Sequence, residues 1–215
     1  MSNRFKSRYD DDINLFEGRW HLAQYALLVA LLLAAPWLLG TYYLGELTAV
    51  LIWSLAGLGL MLISGHTGQV SLGHAAFMAI GAFTNLALMM RGWHFIPALL
   101  ASAVTSGVLG AIISRPILRM SGIYLAIATL ALSIIIEDVS IIAEPITGGV
   151  AGLFAPPIDM FGLKIDRYTS PAAFYYLCLT VLVIVTLGYL NLLRSASGRS
   201  FLAVRDSEVS ARALG

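Results

Sequence analysis

Residues 64–83 read SGHTGQVSLGHAAFMAIGAF. Long apolar runs flank this stretch on both sides, yet its first half holds Gly65, His66, Thr67, Gly68, Gln69, Ser71, Gly73 and His74. Glycine weakens a helix, while Ser64, Thr67 and Ser71 can satisfy freed backbone groups or cap a helix that restarts. Two readings stay open on the residues alone. In the first, a membrane helix breaks near 65–68 and a new one starts around 69–71. The amide end of that new helix carries partial positive charge, which broken transporter helices aim at anionic substrate groups. In the second, the stretch is a capped turn on the cytoplasmic side with no ligand. Non-helical backbone at membrane depth is tolerated only where protein or a water-filled cavity surrounds it.

That the flanks are membrane spans follows from composition. The chain has 215 residues, 59% hydrophobic and 12% charged, with mean hydropathy +0.84. Soluble domains carry about 25% charged residues, so the apolar surface here exceeds what a soluble fold can bury. The net charge of +1 gives no footprint for nucleic acid. Cys178, the single cysteine, cannot form an internal disulfide and reads as a small buried hydrophobe.

About 20 apolar residues cross a hydrocarbon core of about 30 Å. Six segments meet that length: 22–40, 47–64, 70–90, 95–114, 123–143 and 171–193. The expected fold is therefore an all-α, polytopic membrane protein of about six transmembrane segments, one of them broken or re-entrant. The polar lead before residue 22 is long and the first apolar run is span-length, so that run reads as a retained span and not a cleaved signal. Segment 70–90 either crosses or dips and returns.

Placing the N-terminus in the cytoplasm puts Arg4, Lys6, Arg8, Arg19, Arg115, Arg119, Arg194, Arg199, Arg205 and Arg212 inside. Only Arg91, Lys164 and Arg167 then fall outside, which obeys the positive-inside rule. The resulting organisation is a cytoplasmic segment 1–21, a membrane domain 22–193 and a cytoplasmic segment 194–215. Within 95–114, Ser102, Ser106 and Gly110 repeat at four-residue spacing, as do Ala103, Gly107 and Ala111. Such small-residue rows let helices approach closely in lipid, so this surface is expected to face protein.

The outer connection 144–170 carries turn signals at Thr147-Gly148-Gly149, Gly152 and Pro156-Pro157, together with Leu153, Phe154, Ile158, Met160 and Phe161. It is expected to pack on the outer face, as a docking surface or simply as a cap. Glu137 and Asp138 lie late in the fifth segment and read as interfacial groups held in water, or as attractors for a substrate ammonium. Glu46 is placed more weakly still. His66 and His74 stand eight residues apart, about 12 Å along a continuous helix, where metal pairs need i, i+3 or i, i+4 spacing. No metal site and no nucleophile–base pair stands out. After residue 193 the chain is polar but keeps helix signals. Asp206 or Ser207 can cap a short helix whose apolar points include Phe201, Leu202, Val204, Val209 and Leu214, suited to a partner protein or to the membrane surface.

Four motifs occur in one order along the chain: SGHTGQVSLGHAAFMAIGAF, RMSGIYLAIATLA, TGGVAGLF and SGRSFLAVRDSEVSARALG. Together they resemble the M-type permease subunit of branched-chain amino acid ABC importers. Relatives in that superfamily import urea and short amides. The resemblance implies a bacterial inner-membrane permease, not an enzyme and without a cofactor. It would pair with a second permease subunit, two cytoplasmic ATP-binding subunits and a periplasmic substrate-binding protein. No GxxxxGK[ST] phosphate loop occurs in the chain.

The resemblance also favours the broken-helix reading. It implies a substrate path bordered by Gly65, His66, Gly68, Gln69, Ser71, Gly73, His74, Thr147, Gly148 and Gly149. ATPase coupling would fall to Arg205, Asp206, Glu208, Ala211, Arg212 and Gly215. Ala211 and Gly215 match the third and last positions of the EAA-then-Gly loop of bacterial importers, with Ser210 in place of an alanine. Family members continue with further spans past this point, so the chain is expected to be truncated and not to transport alone. A stand-alone secondary transporter is the competing class. It calls for internal repeats and a midplane ion site, and neither is visible.

Overall fold

In this computed structural model, residues 19–117, 120, 122–160 and 163–207 are described. The chain is a helical membrane protein. Its helices are α1 (Arg19–Leu38), α2 (Thr41–Leu60), α3 (His74–Met90), α4 (Phe95–Ile117), α5 (Ile123–Ile142), α6 (Glu144–Thr147), α7 (Pro171–Arg194) and α8 (Ala196–Asp206). Among the described residues, four helical stretches are long and apolar enough to cross a bilayer: Thr41–His66, Phe95–Ile117, Ile123–Ile142 and Pro171–Arg194. Two shorter apolar helices, Leu22–Leu38 and His74–Met90, stand at the first and third expected positions.

The bundle divides into two groups. In the first, α2 packs along α7, and Ala35 of α1 joins Leu44, Leu51, Tyr175 and Leu179 in a buried cluster. A proline organises this contact. Pro36 lies inside α1 and has no N–H to offer the Leu32 carbonyl one turn earlier. The hydroxyl of fully buried Tyr175 donates to that carbonyl at 2.8 Å. Tyr176 donates to the next carbonyl, Leu33, also at 2.8 Å. The α1 backbone is thus closed from outside by α7.

In the second group, α3 packs along α4 and less extensively on α5. Ser106 of α4 donates to the Phe77 carbonyl of α3 at 2.7 Å, and the Phe77 ring lies 3.5 Å from where a Cβ on Gly110 would sit. The row Ser102, Ser106, Gly110 therefore faces α3. The second row does not: Ala103, Gly107 and Ala111 are exposed, and a Cβ on Gly107 would meet nothing within 4 Å. Among the described residues only one of the two rows contacts protein, because adjacent positions on a helix point about 100° apart. A small apolar cavity of about 200 Å³ lies at the seam of the two groups, between Leu51 and Leu55 of α2, Leu99 of α4 and Leu177 and Cys178 of α7.

The connection 144–170 is more structured than its turn signals suggest. It holds α6, a tight turn over Gly149–Ala151, and a hairpin of β1 (Ile158–Met160) and β2 (Leu163–Ile165). The strands pair antiparallel with Ile158 opposite Ile165 and Met160 opposite Leu163. β1 rests on α4 and β2 on α7. Phe154 is 95% exposed and Val150 is 89% exposed, so part of this connection is uncovered.

Several boundaries differ from expectation. α2 begins at Thr41, six residues before the expected start, because only Leu39 and Gly40 separate it from α1. α4 runs on to Ile117, with Pro116 in its last turn. α3 starts at His74, not at Val70 or around 69–71. The helix expected after residue 193 also starts earlier than Asp206 or Ser207. α8 spans Ala196–Asp206, and its cap is Ser195, which accepts from the Gly198 N–H at 3.4 Å. Phe201 and Val204 are half-buried along it, whereas Leu202 is exposed. Expectations for 1–18, Arg119 and 208–215, including Glu208, Val209, Ala211, Arg212, Leu214 and Gly215, lie outside the described residues.

Candidate functional site

The glycine-rich stretch is a break. α2 widens into a π-helical turn over Met61–His66, residues 67–73 are not helical, and α3 starts at His74. Wide turns of this kind recur at functional sites because they leave backbone groups unpaired in register. At 1.5 Å per residue α3 covers only about 26 Å, short of a hydrocarbon core of about 30 Å.

Backbone outside a helix needs hydrogen-bond partners, and another helix supplies them. The Leu72 N–H donates to Thr129 Oγ1 of α5 at 3.0 Å, and Ser133 Oγ, one turn on, donates to the Leu72 carbonyl at 3.2 Å. Thr129 is buried, and its own hydroxyl donates to the Ala126 carbonyl at 2.9 Å. A Cβ on buried Gly73 would lie 3.0 Å from the Thr129 carbonyl oxygen, so the segment lies directly on α5. Thr129 is itself about 9 Å along α5 from Ile123. Within the stretch, the Gln69 N–H donates to the Ile63 carbonyl at 3.2 Å, as does the Thr67 hydroxyl. Ser71 Oγ accepts from the Gly73 N–H at 3.4 Å. It does not cap α3, whose first residue follows Gly73 with no side-chain cap.

The two histidines have separate neighbours. His66 Nδ1 lies 3.2 Å from both the Met61 carbonyl and the Tyr189 hydroxyl of α7. That nitrogen serves one at a time, donating to the carbonyl as N–H or accepting from the hydroxyl when bare. The His74 ring packs on α2, with Cε1 2.9 Å from where a Cβ on Gly59 would sit. Among the described residues no group of three or more His, Cys, Asp and Glu side chains is placed to hold a metal.

The break also meets α8. Arg205 Nη1 of α8 donates to the Gly65 carbonyl at 2.9 Å. Gly68 has φ +69°, a conformation that L side chains rarely adopt, and Arg205 Cγ lies 3.2 Å from where its Cβ would sit. One residue of the expected coupling set thus touches the expected path set. Asp206 ends α8 and is exposed.

Thr147, Gly148 and Gly149 are not part of this cluster. They stand beside the opposite end of α3, where α6 meets it. Thr147 is buried. Its hydroxyl donates to the Ser140 carbonyl and lies 2.9 Å from the Ala143 carbonyl, and it accepts from the Gly149 N–H at 3.2 Å. Gly148 has φ +75°, and a Cβ there would collide with the Gly152 carbonyl. A cavity of about 310 Å³ opens here between α3, α5 and α6, lined by apolar residues with Thr84, Arg91, Ser140 and Thr147. Glu137, Asp138 and Glu46 are exposed on their helices.

Reading the sequence did not single out Gly59, Asn85, Thr129, Ser133 or Tyr189. Thr129 and Ser133 carried a signal, two hydroxyls at i, i+4 in the apolar run 125–136 of α5. Asn85 carried a second, as an amide within α3. Its Nδ2 is buried and has no hydrogen-bond partner among the described residues.

Residues 42–215 match the family described as the permease component of branched-chain amino acid transport systems. Two similar proteins are the high-affinity branched-chain amino acid transport system permease proteins LivM of Salmonella typhimurium and Escherichia coli. The first is 32% identical over 211 residues, covering 87% of this chain and 49% of the relative. The second is 32% identical over 215 residues, covering 87% and 50%. The chain therefore spans about half the length of the curated relatives it matches. No solved structure matches it. With the family match over residues 42–215 and the helical membrane architecture in agreement, this chain belongs to the permease-component family of branched-chain amino acid transport systems.

Proposed function

We propose that this chain acts as a transmembrane permease subunit of an ABC importer for branched-chain amino acids. It forms part of the translocation path and couples to a cytoplasmic ATPase. In this reading it resides in a bacterial inner membrane with its N-terminus and residue 215 in the cytoplasm. It assembles with a second permease subunit, two ATP-binding subunits and a periplasmic substrate-binding protein.

The observation that carries the reading is the break at 67–73, whose Leu72 backbone is held by Thr129 and Ser133 of α5. A break that only turned the chain at the surface would be paired by water and would need no such partners. The proposed path runs along α3 from the cavity beside Arg91 and Thr147 to the break around Gly65, His66, Gly68, Gln69, Ser71, Gly73 and His74. Exposed Arg115, Arg194, Arg199 and Arg205 at the other helix ends support a cytoplasmic face there.

The test is isolation of the assembled complex from its native membrane through a tag on this chain. ATP-hydrolysing subunits are expected to co-purify. Proteoliposomes with the binding protein are expected to take up leucine, isoleucine and valine on ATP addition. Urea uptake in their place would move the assignment to a urea or short-amide importer. A chain that stays alone and moves substrate on an ion gradient would overturn the ABC reading.

A further inference from the structure

We propose that Arg205 is a positioning residue that ties the last turn of α8 to the break in the membrane path, so that displacement of α8 is transmitted to the π-helical turn. The transmission half of this proposal rests on the permease reading above. The tie itself rests on geometry alone.

Three observations carry it. The guanidinium donates to the Gly65 carbonyl at 2.9 Å, a group within the widened turn Met61–His66. The stem of the same side chain covers Gly68, with Cγ 3.2 Å and the backbone Cα 3.6 Å from where a Cβ would sit. A left-handed glycine thus lets the last turn of α8 sit directly on the break. Finally, α8 is set closely against the end of α7. Only Ser195 separates the two helices, and a Cβ on Gly198 would collide with Leu193 backbone. Tyr189, one turn before the end of α7, lies against His66 with ring centroids 5.8 Å apart. α7 and α8 therefore hold the same turn from two sides, and Arg205 is the contact nearest the segment 208–215 that follows α8. A side chain engaged in this way points into its own chain, which separates its role from direct docking on another subunit.

The first arm of the test needs no partner. With the full chain in lipid nanodiscs, Arg205→Met keeps the stem over Gly68 and removes the donor, whereas Arg205→Lys keeps both a stem and a donor. Amide hydrogen exchange across 61–69 is expected to accelerate about fivefold in Arg205→Met and to return most of the way in Arg205→Lys. Exchange within α5 should not change. Unaltered exchange at 61–69 would overturn the tie, and so would equal acceleration in α5, which marks general loosening.

The second arm uses the assembled complex. Arg205→Met is expected to lower substrate moved per ATP hydrolysed several-fold through Vmax, with KM for uptake kept and Arg205→Lys restoring the ratio. An unchanged ratio would overturn the transmission role and leave the permease reading standing. Loss of the ATPase from the Arg205→Met complex would assign Arg205 to docking and overturn the proposal. A wild-type chain that recruits no ATPase would overturn the permease reading and transmission together, while the exchange result would still decide the tie.

Discussion

Tyr175 shows how one side chain repairs a defect built into another helix. Pro36 leaves the Leu32 carbonyl without its helical donor, and the Tyr175 hydroxyl replaces it at 2.8 Å. Tyr175→Phe is therefore expected to cost about 1 kcal/mol, measured by thermal unfolding in detergent. The same substitution in a Pro36→Ala background should cost less than half as much, because the alanine N–H can serve the carbonyl. Equal costs in the two backgrounds would mean that Tyr175 acts through packing alone. Gly148 is constrained differently. Its φ of +75° and the Gly152 carbonyl facing it leave no room for a side chain. Gly148→Ala should destabilise the outer connection by about 2 kcal/mol or more, read as a lower unfolding temperature and faster proteolysis after residue 147.

Among the elements, α4 shows why a row of small residues must be assigned a direction. Ser106 and Gly110 meet Phe77 on α3, while Gly107, one position from Ser106, faces away from protein in this chain. Ser106→Leu removes a hydrogen bond and overpacks the crossing, with an expected cost of about 1–3 kcal/mol. Gly107→Leu should stay within about 0.5 kcal/mol of wild type for the isolated chain. If Gly107→Leu instead impairs assembly of the complex while the isolated chain stays stable, the outward row is a contact for another subunit. α3 and α5 form a second such pair. The break in one is matched by hydroxyls in the other, so neither helix can be understood without its partner.

For the whole molecule, the two ends of the bundle differ in structure. α6, the tight turn and the hairpin stand with Arg91, Lys164 and Arg167, while α8 and the break stand with Arg194, Arg199 and Arg205. Single cysteines at Lys164 and Arg199, placed in a Cys178→Ala chain, are expected to react with a membrane-impermeant maleimide from opposite sides. The Lys164 position should label in intact spheroplasts, and the Arg199 position only after the membrane is opened. Labelling of both from one side would contradict the orientation drawn from the positive-inside rule.

Membrane residence, the sites of the apolar helices and the existence of an interruption near 65–68 were all legible in the sequence. Each is a local property: apolar run length, glycine content and the positions of Arg and Lys need no knowledge of what lies across the bundle. The sequence also held both open readings of the stretch, a broken helix and a capped turn, with no local means to separate them. Only the tertiary structure decided that α3 starts at His74. It likewise decided that Thr129 and Ser133 hold the Leu72 backbone, and that Arg205 turns back onto Gly65. Those contacts join residues 57, 61 and 140 positions apart. A freed carbonyl or N–H inside the membrane must find a partner, but nothing in its own stretch states which helix will bring it. That choice is made by packing, and it turns a glycine-rich run into a break held from three sides.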